Sequence, residues 1–238
     1  MPTRTIAALL VMLSTSPLGA QTSPSAVTQR LFDDARVRES LDQLRAEEPW
    51  VIEQQIALCE IPAPPFGEAE RAAAYRAAFV ELGLQDVRID DAGNVIGVRP
   101  GRATSPNLLF TAHLDTVFPA ETDVSVTRDG EVLRGPGIAD DCRGLAVLLG
   151  VARALNRSGI ETAGTITFAA TVGEEGLGDL RGVKYLFRVE LEGRIHSFLS
   201  VDGTRLGATH VGVGSKRYRV TYRGPGGHSF GAFGLVSP

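Results

Sequence analysis

Cysteine is nearly missing from this chain: Cys59 and Cys142 are the only two in 238 residues. A disulfide framework is therefore not indicated, and no sequence rule brings the pair within bonding distance. An excess of positive charge is missing as well. Lys and Arg number 24 against 28 Asp and Glu, giving a net charge of −4 with the signs interspersed. There is no polybasic footprint, so nucleic acid is not expected as a partner. Beyond residue 20 no stretch is long and apolar enough to span a bilayer. Internal repeats and low-complexity tracts are absent too.

The first twenty residues stand apart. MPTRTIAALLVMLSTSPLGA combines Arg4, an apolar core at Ile6–Leu13 too short to cross a membrane, and the small pair Gly19-Ala20. That is the pattern of a secretory signal over residues 1–20. Leu18 fits the position three residues before the cut poorly, so the cleavage site stays open. The expectation is an exported protein, periplasmic or extracellular.

What the chain does have is apolar material, 43% of its residues, enough for one substantial core and part of a second domain. From Val27 to Cys59 an imperfect apolar face (Leu41, Leu44, Trp50, Ile52, Ile56) predicts two helices meeting near Pro49. IPAPPFGE then forbids regular structure, and Glu68–Leu82 reads as a helix burying Ala72, Tyr75, Phe79 and Leu82. Short strands are expected at Val87–Ile89 and Val95–Val98 around an Asp91–Asn94 turn. A strand through Leu108, Leu109 and Phe110 ends at His113, and Val124–Thr127 with Val132–Arg134 reads as a hairpin about Arg128-Asp-Gly130. Leu145–Leu155 is an amphipathic helix, Thr165–Thr171 a strand covered on both faces, Val183–Phe187 a helix and Ser197–Val201 a strand. The alternation argues for an α/β layer sandwich. Near Ala208–Gly214 the character changes, and Tyr218, Val220 and Tyr222 alternate with polar residues as in a half-exposed strand.

Imidazole and carboxylate groups follow successive apolar runs: His113 and Asp115, Asp140 and Asp141, Glu174 and Glu175, and Asp202. In a strand, His113 and Asp115 would emerge on one side. In an open α/β sheet, ligands bind outside the carboxyl ends of the strands. Carboxylates gathered there with few cations (Arg143 is the nearest) would repel one another unless metal ions neutralise them. Imidazole plus carboxylates without a cysteine cluster suits Zn²⁺, with Mn²⁺ or Co²⁺ as alternatives. Each cluster also has an ordinary structural role open to it. Asp140 and Asp141 suit the N-cap of the following helix, Glu174 and Glu175 a solvated turn, and Asp202 a turn before Gly203.

Taken together, TAHLDTVFP, GPGIADD, TVGEEGLGDLRGVKYL, SVDGT and RGPGGHSFGAFG resemble the zinc-dependent exopeptidases and deacylases that include carboxypeptidase G, tripeptide aminopeptidase, acetylornithine deacetylase and aminoacylase. The resemblance runs from about Val51 to Pro238. It implies an α/β fold: a three-layer catalytic domain with a mostly parallel mixed sheet over residues 21–208, then the start of a small α+β lid or dimerisation domain at 209–238. It implies that His113, Asp140 and Asp202 hold one zinc and that Asp140, followed by a cis peptide bond, bridges to a second held by Glu175. Asp115 would orient His113, Glu174 would be the general base, and His228 would reach a partner subunit's site to stabilise the oxyanion. The substrate would be a small peptide or an N-acyl amino acid, and an aspartate at the position of Asp202 leans towards di- and tripeptide aminopeptidases. DDCRG stands where the family often has Lys after the aspartate pair. The family's lid continues further and a later histidine completes the second site, whereas no His follows His228. Two expectations result: a piece of a longer secreted metallopeptidase, or a truncated metal-binding or interaction module.

Overall fold

The structure, a computed structural model, describes residues 24–203, 206–212, 214, 216, 218–221, 223–224, 226–228 and 230–232. The expected leader at 1–20 lies outside them. No helix among the described residues is long and apolar enough to cross a membrane.

Three helices open the chain where two were expected: α1 (Pro24–Asp33), α2 (Ala35–Ala46) and α3 (Glu48–Cys59). The additional break falls at Asp34, whose carboxylate accepts the Arg36 amide at 2.9 Å and caps α2. Pro49 sits in the first turn of α3, where a missing N–H does no harm. After the proline loop, α4 (Ala69–Glu81) buries Tyr75 and Phe79 completely. β1 (Gln85–Ile89) and β2 (Val95–Arg99) pair antiparallel. Asp90 shapes the turn between them by accepting the amides of Ala92, Gly93 and Asn94. Gly97 on β2 lets α4 come close, since a Cβ there would meet Leu84 and Phe79 at 2.8 and 2.9 Å.

β3 (Asn107–His113) is followed by the hairpin β4 (Thr127–Asp129) and β5 (Val132–Arg134). Here the expected register is corrected. Thr127 pairs with Arg134 and Asp129 with Val132, so Arg128 and Asp129 belong to the strand and the turn contracts to two residues. Gly130 takes the positive φ of 60° that such a tight connection demands. α5 (Cys142–Arg157), β6 (Thr165–Thr171), α6 (Arg181–Tyr185) with a π-helical turn at Leu186–Glu190, and β7 (Ser197–Ser200) complete the series.

The sheet runs β1-β2-β6-β3-β7, with β3 parallel to both β6 and β7. Period-two alternation sends Phe110, Ala112, Phe168 and Ala170 to one face, against Tyr75, Phe79, Leu145, Leu148 and Leu149. Leu109, Ile96 and Ala169 face the other way, towards Leu186 and Leu191. This is the expected three-layer α/β arrangement. Phe168 joins Phe79 and Phe110 at ring separations of 6.4 and 5.8 Å, so a few aromatics knit helix to sheet. Leu148 has no exposed surface. Leu148→Ala should destabilise the chain by about 2–5 kcal/mol, read as a lower denaturant midpoint at unchanged m-value. Cys59 and Cys142 are both buried and form no disulfide.

The chain divides into two compact units between Thr204 and Arg205. In the second, the strand expected around Tyr218 is not found among the described residues 218–221. Tyr218 and Val220 are 80% and 65% exposed. Alternation makes a strand only where a neighbour takes its backbone groups and a layer covers its apolar side.

Candidate metal centre

Adjacent parallel strands β3 and β6 send their following helices to opposite faces of the sheet, α5 to one and the α6 region to the other. That opens a crevice at their carboxyl ends. His113 is the last residue of β3, Glu174 and Glu175 follow β6, and Asp202 follows β7. Asp140 comes from the loop before α5, and its peptide bond to Asp141 is cis.

His113 is almost fully buried and its three nitrogens are committed. The backbone N–H donates to Asp141 Oδ2 at 2.9 Å. Nδ1 lies 2.9 Å from the Asp115 carbonyl oxygen, which can only accept, so Nδ1 carries the proton. Nε2 stands 3.0 Å from Asp140 Oδ1, a contact that is a hydrogen bond only when Nε2 also carries a proton; in the neutral ring its lone pair is the one that a metal ion would take. The Asp115 carboxylate stands 3.8 Å from Nδ1 and is engaged elsewhere, accepting the amides of Glu174 at 3.0 Å and Glu175 at 2.8 Å. The group nearest the ring is thus the backbone carbonyl of Asp115 rather than its side chain.

The two aspartates in tandem divide their work. Asp141 caps α5, accepting from the Gly144 amide at 3.0 Å, so the helix-cap alternative holds for it. Asp140 is left half exposed and turned towards His113. Donor atoms of His113, Asp140 and Asp202 lie within 4.8 Å of one another, as do those of His113, Glu174 and Glu175. Five of the expected site residues are therefore brought together. Glu175 is grouped with Glu174 and His113, and Asp140 with His113 and Asp202.

Electrostatics report the same crowding. Burial pushes the Glu174 carboxyl up, and Asp202, Asp115 and Asp140 push it further. Glu175 rises through burial and then through Glu174 and Asp140. Burial carries Asp141 to about 7. For His113 burial opposes protonation, but Asp141, Asp115, Asp202 and Glu174 outweigh it and raise its pKa. A divalent cation relieves repulsion of this kind. Imidazole and carboxylate donors without thiolate fit Zn²⁺ or Mn²⁺. A cleft of about 220 Å³ adjoins the donors, with His113, Glu174 and Asp202 at one side and Leu180, Val183 and Phe198 as an apolar wall.

His228 lies in the second unit and is exposed. Its Nδ1 accepts the amides of Phe230 and Gly231, both at 3.2 Å, which leaves Nε2 as the protonated, donating nitrogen of the neutral ring. Sequence reasoning missed Arg71, which is 1% exposed. Its guanidinium donates to the carbonyls of Cys59, Ile61 and Leu114, the last lying between His113 and Asp115. The signal was present: Arg71, Tyr75 and Phe79 are spaced by four on one helical face.

Among known proteins, carboxypeptidase G2 of Pseudomonas sp. (strain RS-16) is 35% identical over 142 residues, 54% of this chain and 33% of that one. The uncharacterized protein YqjE of Bacillus subtilis is 34% identical over 167 residues, 66% of this chain and 44% of its own. The chain thus spans less than half the length of these relatives. Among solved structures, aminopeptidase PepT from Bacillus cereus superposes with a TM-score of 0.55 at 28% identity, over 64% of this chain and 43% of that one. The YXEP protein of Bacillus subtilis, a dinuclear metal-binding peptidase, shares the fold at 20% identity and a TM-score of 0.53, over 67% of this chain and 44% of its own. The sequence profile of peptidase family M20/M25/M40 matches residues 109–231, more than half of the chain, and the chain belongs to that family.

Proposed function

We propose that this chain carries the catalytic centre of a metal-dependent hydrolase that cleaves an amide bond of small peptides. The observation that carries the proposal is the meeting of His113 with Asp140 and Asp202 and with Glu174 and Glu175, beside a cleft lined by His113, Glu174 and Asp202. His113, Asp140 and Asp202 would hold one ion, and Glu175, sharing Asp140, would contribute to a second. Bound there, a divalent ion would supply Lewis acidity to the scissile carbonyl and to the attacking water. Glu174 takes the proton of the attacking water and returns it to the leaving amine. The apolar wall of Leu180, Val183 and Phe198 would receive a substrate side chain. His228, with its donating Nε2, is proposed to reach a partner subunit's site through the lid and stabilise the oxyanion. Export from the cell is the accompanying proposal for location.

The similarity to the aminopeptidase PepT favours a free peptide as substrate, and the aspartate at position 202 leans towards di- and tripeptides. A second reading, a deacylase or carboxypeptidase acting on N-acyl amino acids, is favoured by the identity to carboxypeptidase G2. Calorimetric titration of the metal-free chain with Zn²⁺ tests the metal centre. At a hundredfold excess over the dissociation constant, bound ion should raise stability by about 2.7 kcal/mol. No uptake and no stabilisation would remove the proposal. A panel of free peptides against N-acyl amino acids then separates the two substrate readings by their kcat/KM.

A further inference from the structure

Where β6 ends, four consecutive backbone amides leave the sheet and none of them takes a backbone partner across it. Val172 donates to Asn94 Oδ1 at 3.1 Å, Gly173 to Glu68 Oε1 at 3.1 Å, and Glu174 and Glu175 to the two oxygens of Asp115. Buried N–H groups need partners, but the sources here are unusual. The acceptors come from three separate places: the turn before β2, the residue before α4 and the segment just beyond β3. Asp115 is already tied to His113 by sequence. Glu68 has no such tie. It is only 4% exposed, and both its oxygens accept Arg181 Nη2 at 2.7 Å.

Arg181 opens α6, just downstream of the same segment, so Glu68 fastens the loop at both ends. The fit is close. A Cβ on Gly173 would meet Arg181 Nη1 at 1.9 Å, and Gly173 itself has a φ of +65°. Nη1 is a buried side-chain nitrogen with no hydrogen-bond partner among the described residues, and the guanidinium lies 4.5 Å from the Phe66 ring. A buried ion pair is poor evidence of stabilisation, because desolvation offsets the attraction. One whose acceptor also fixes the amide beside Glu174 is placed for geometry.

We infer that Glu68, clamped by Arg181, is a positioning residue for Glu174 and Glu175. It acts through the backbone and touches neither ion nor substrate. The inference rests on the metal-dependent reading for its catalytic meaning, but its physical content is tested without it. Hydrogen exchange of the metal-free chain is the first measurement. Glu68→Ala should speed exchange at Gly173, Glu174 and Glu175 by about tenfold or more, as loss of a bond to a charged acceptor implies, with β3 amides such as Leu109 unchanged. Leu148→Ala is the comparison, a core truncation that should speed exchange across the sheet rather than at the loop. Unchanged exchange at 173–175, or a rise no larger there than in β3, overturns the inference. If Glu68→Ala does not fold, Glu68→Gln serves, since it keeps an acceptor for Gly173 and loses the charge facing Arg181. The second measurement is the Co²⁺ absorption spectrum. A change in band shape and a weaker second binding step in the Glu68 variant support the inference, and an unaltered titration counts against it. Absence of Co²⁺ uptake by the unsubstituted chain would instead sink the metal reading, leaving the exchange result to stand by itself.

Discussion

Glu174→Gln is expected to lower kcat by about 10²–10⁴ while metal content stays unchanged, the range a positioned general base supplies. The substitution keeps the size of the side chain and the backbone bond from the Glu174 amide to Asp115, so the loop is undisturbed. It removes the one property the proposed reaction would need of Glu174, a carboxylate that can accept a proton and give it back. The alternative is written into the same geometry, because Glu174 also lies within ligand distance of His113 and Glu175. Two considerations favour the base. His113, Asp140 and Asp202 already form a complete three-donor group without it. Glu174 also borders the cleft that would take substrate, which Glu175 does not. Metal analysis on the purified variant beside its steady-state kinetics decides between them. Loss of one ion together with activity would make Glu174 a ligand, and retained activity would remove it from the mechanism.

Much of this arrangement could be read before any coordinates, and the reason is chemical. Strands β3 and β6 announce themselves as continuous apolar runs, since a central strand is covered on both faces, and each ends where polar groups begin. His113, Glu174, Glu175 and Asp202 are therefore legible as a set, because residues just past the carboxyl ends of parallel strands converge there, and Asp140 joins them from the loop before α5. What sequence could not supply was the division of labour between neighbours. Asp140 and Asp141 are chemically identical, and only the start of α5 makes one a helix cap and leaves the other facing His113. Asp115 was legible as a partner of His113, but not that its carbonyl meets the ring while its carboxylate holds the next loop. The hairpin slipped because an Arg-Asp-Gly turn and a two-residue Gly130-Glu131 turn look alike until the ladder fixes the register. The strand at Tyr218 failed for a different reason: a local pattern says nothing about whether a covering layer is there.

Arg71→Met should destabilise the first unit by about 3–5 kcal/mol, because the backbone carbonyls it serves lose their donor. The opposite outcome has to be considered, since exchanging a buried ion for an apolar chain is often neutral. The partners decide it. Arg71 has no carboxylate within hydrogen-bond range among the bonds described. Its donors serve the backbone carbonyls of Cys59, Ile61 and Leu114, and those oxygens cannot be exchanged along with the side chain. Methionine would leave them buried without donors, at about 1–3 kcal/mol for each that water cannot reach. Relief of the desolvated charge offsets part of this, which keeps the net figure below the sum. Set against the ~5–15 kcal/mol of a typical domain, the loss is a large fraction of total stability. At ~2–4 °C per kcal/mol for a unit of this size, the melting midpoint should fall by roughly 10 °C. A circular-dichroism melt reads it directly, and a fall of less than about 3 °C would show that water or a rearranged loop serves those carbonyls. Because the Leu114 carbonyl lies between His113 and Asp115, the same variant, measured well below its melting point, should also bind Zn²⁺ more weakly. Lost stability with unaltered affinity would mean that Arg71 supports the fold and leaves the metal donors where they were.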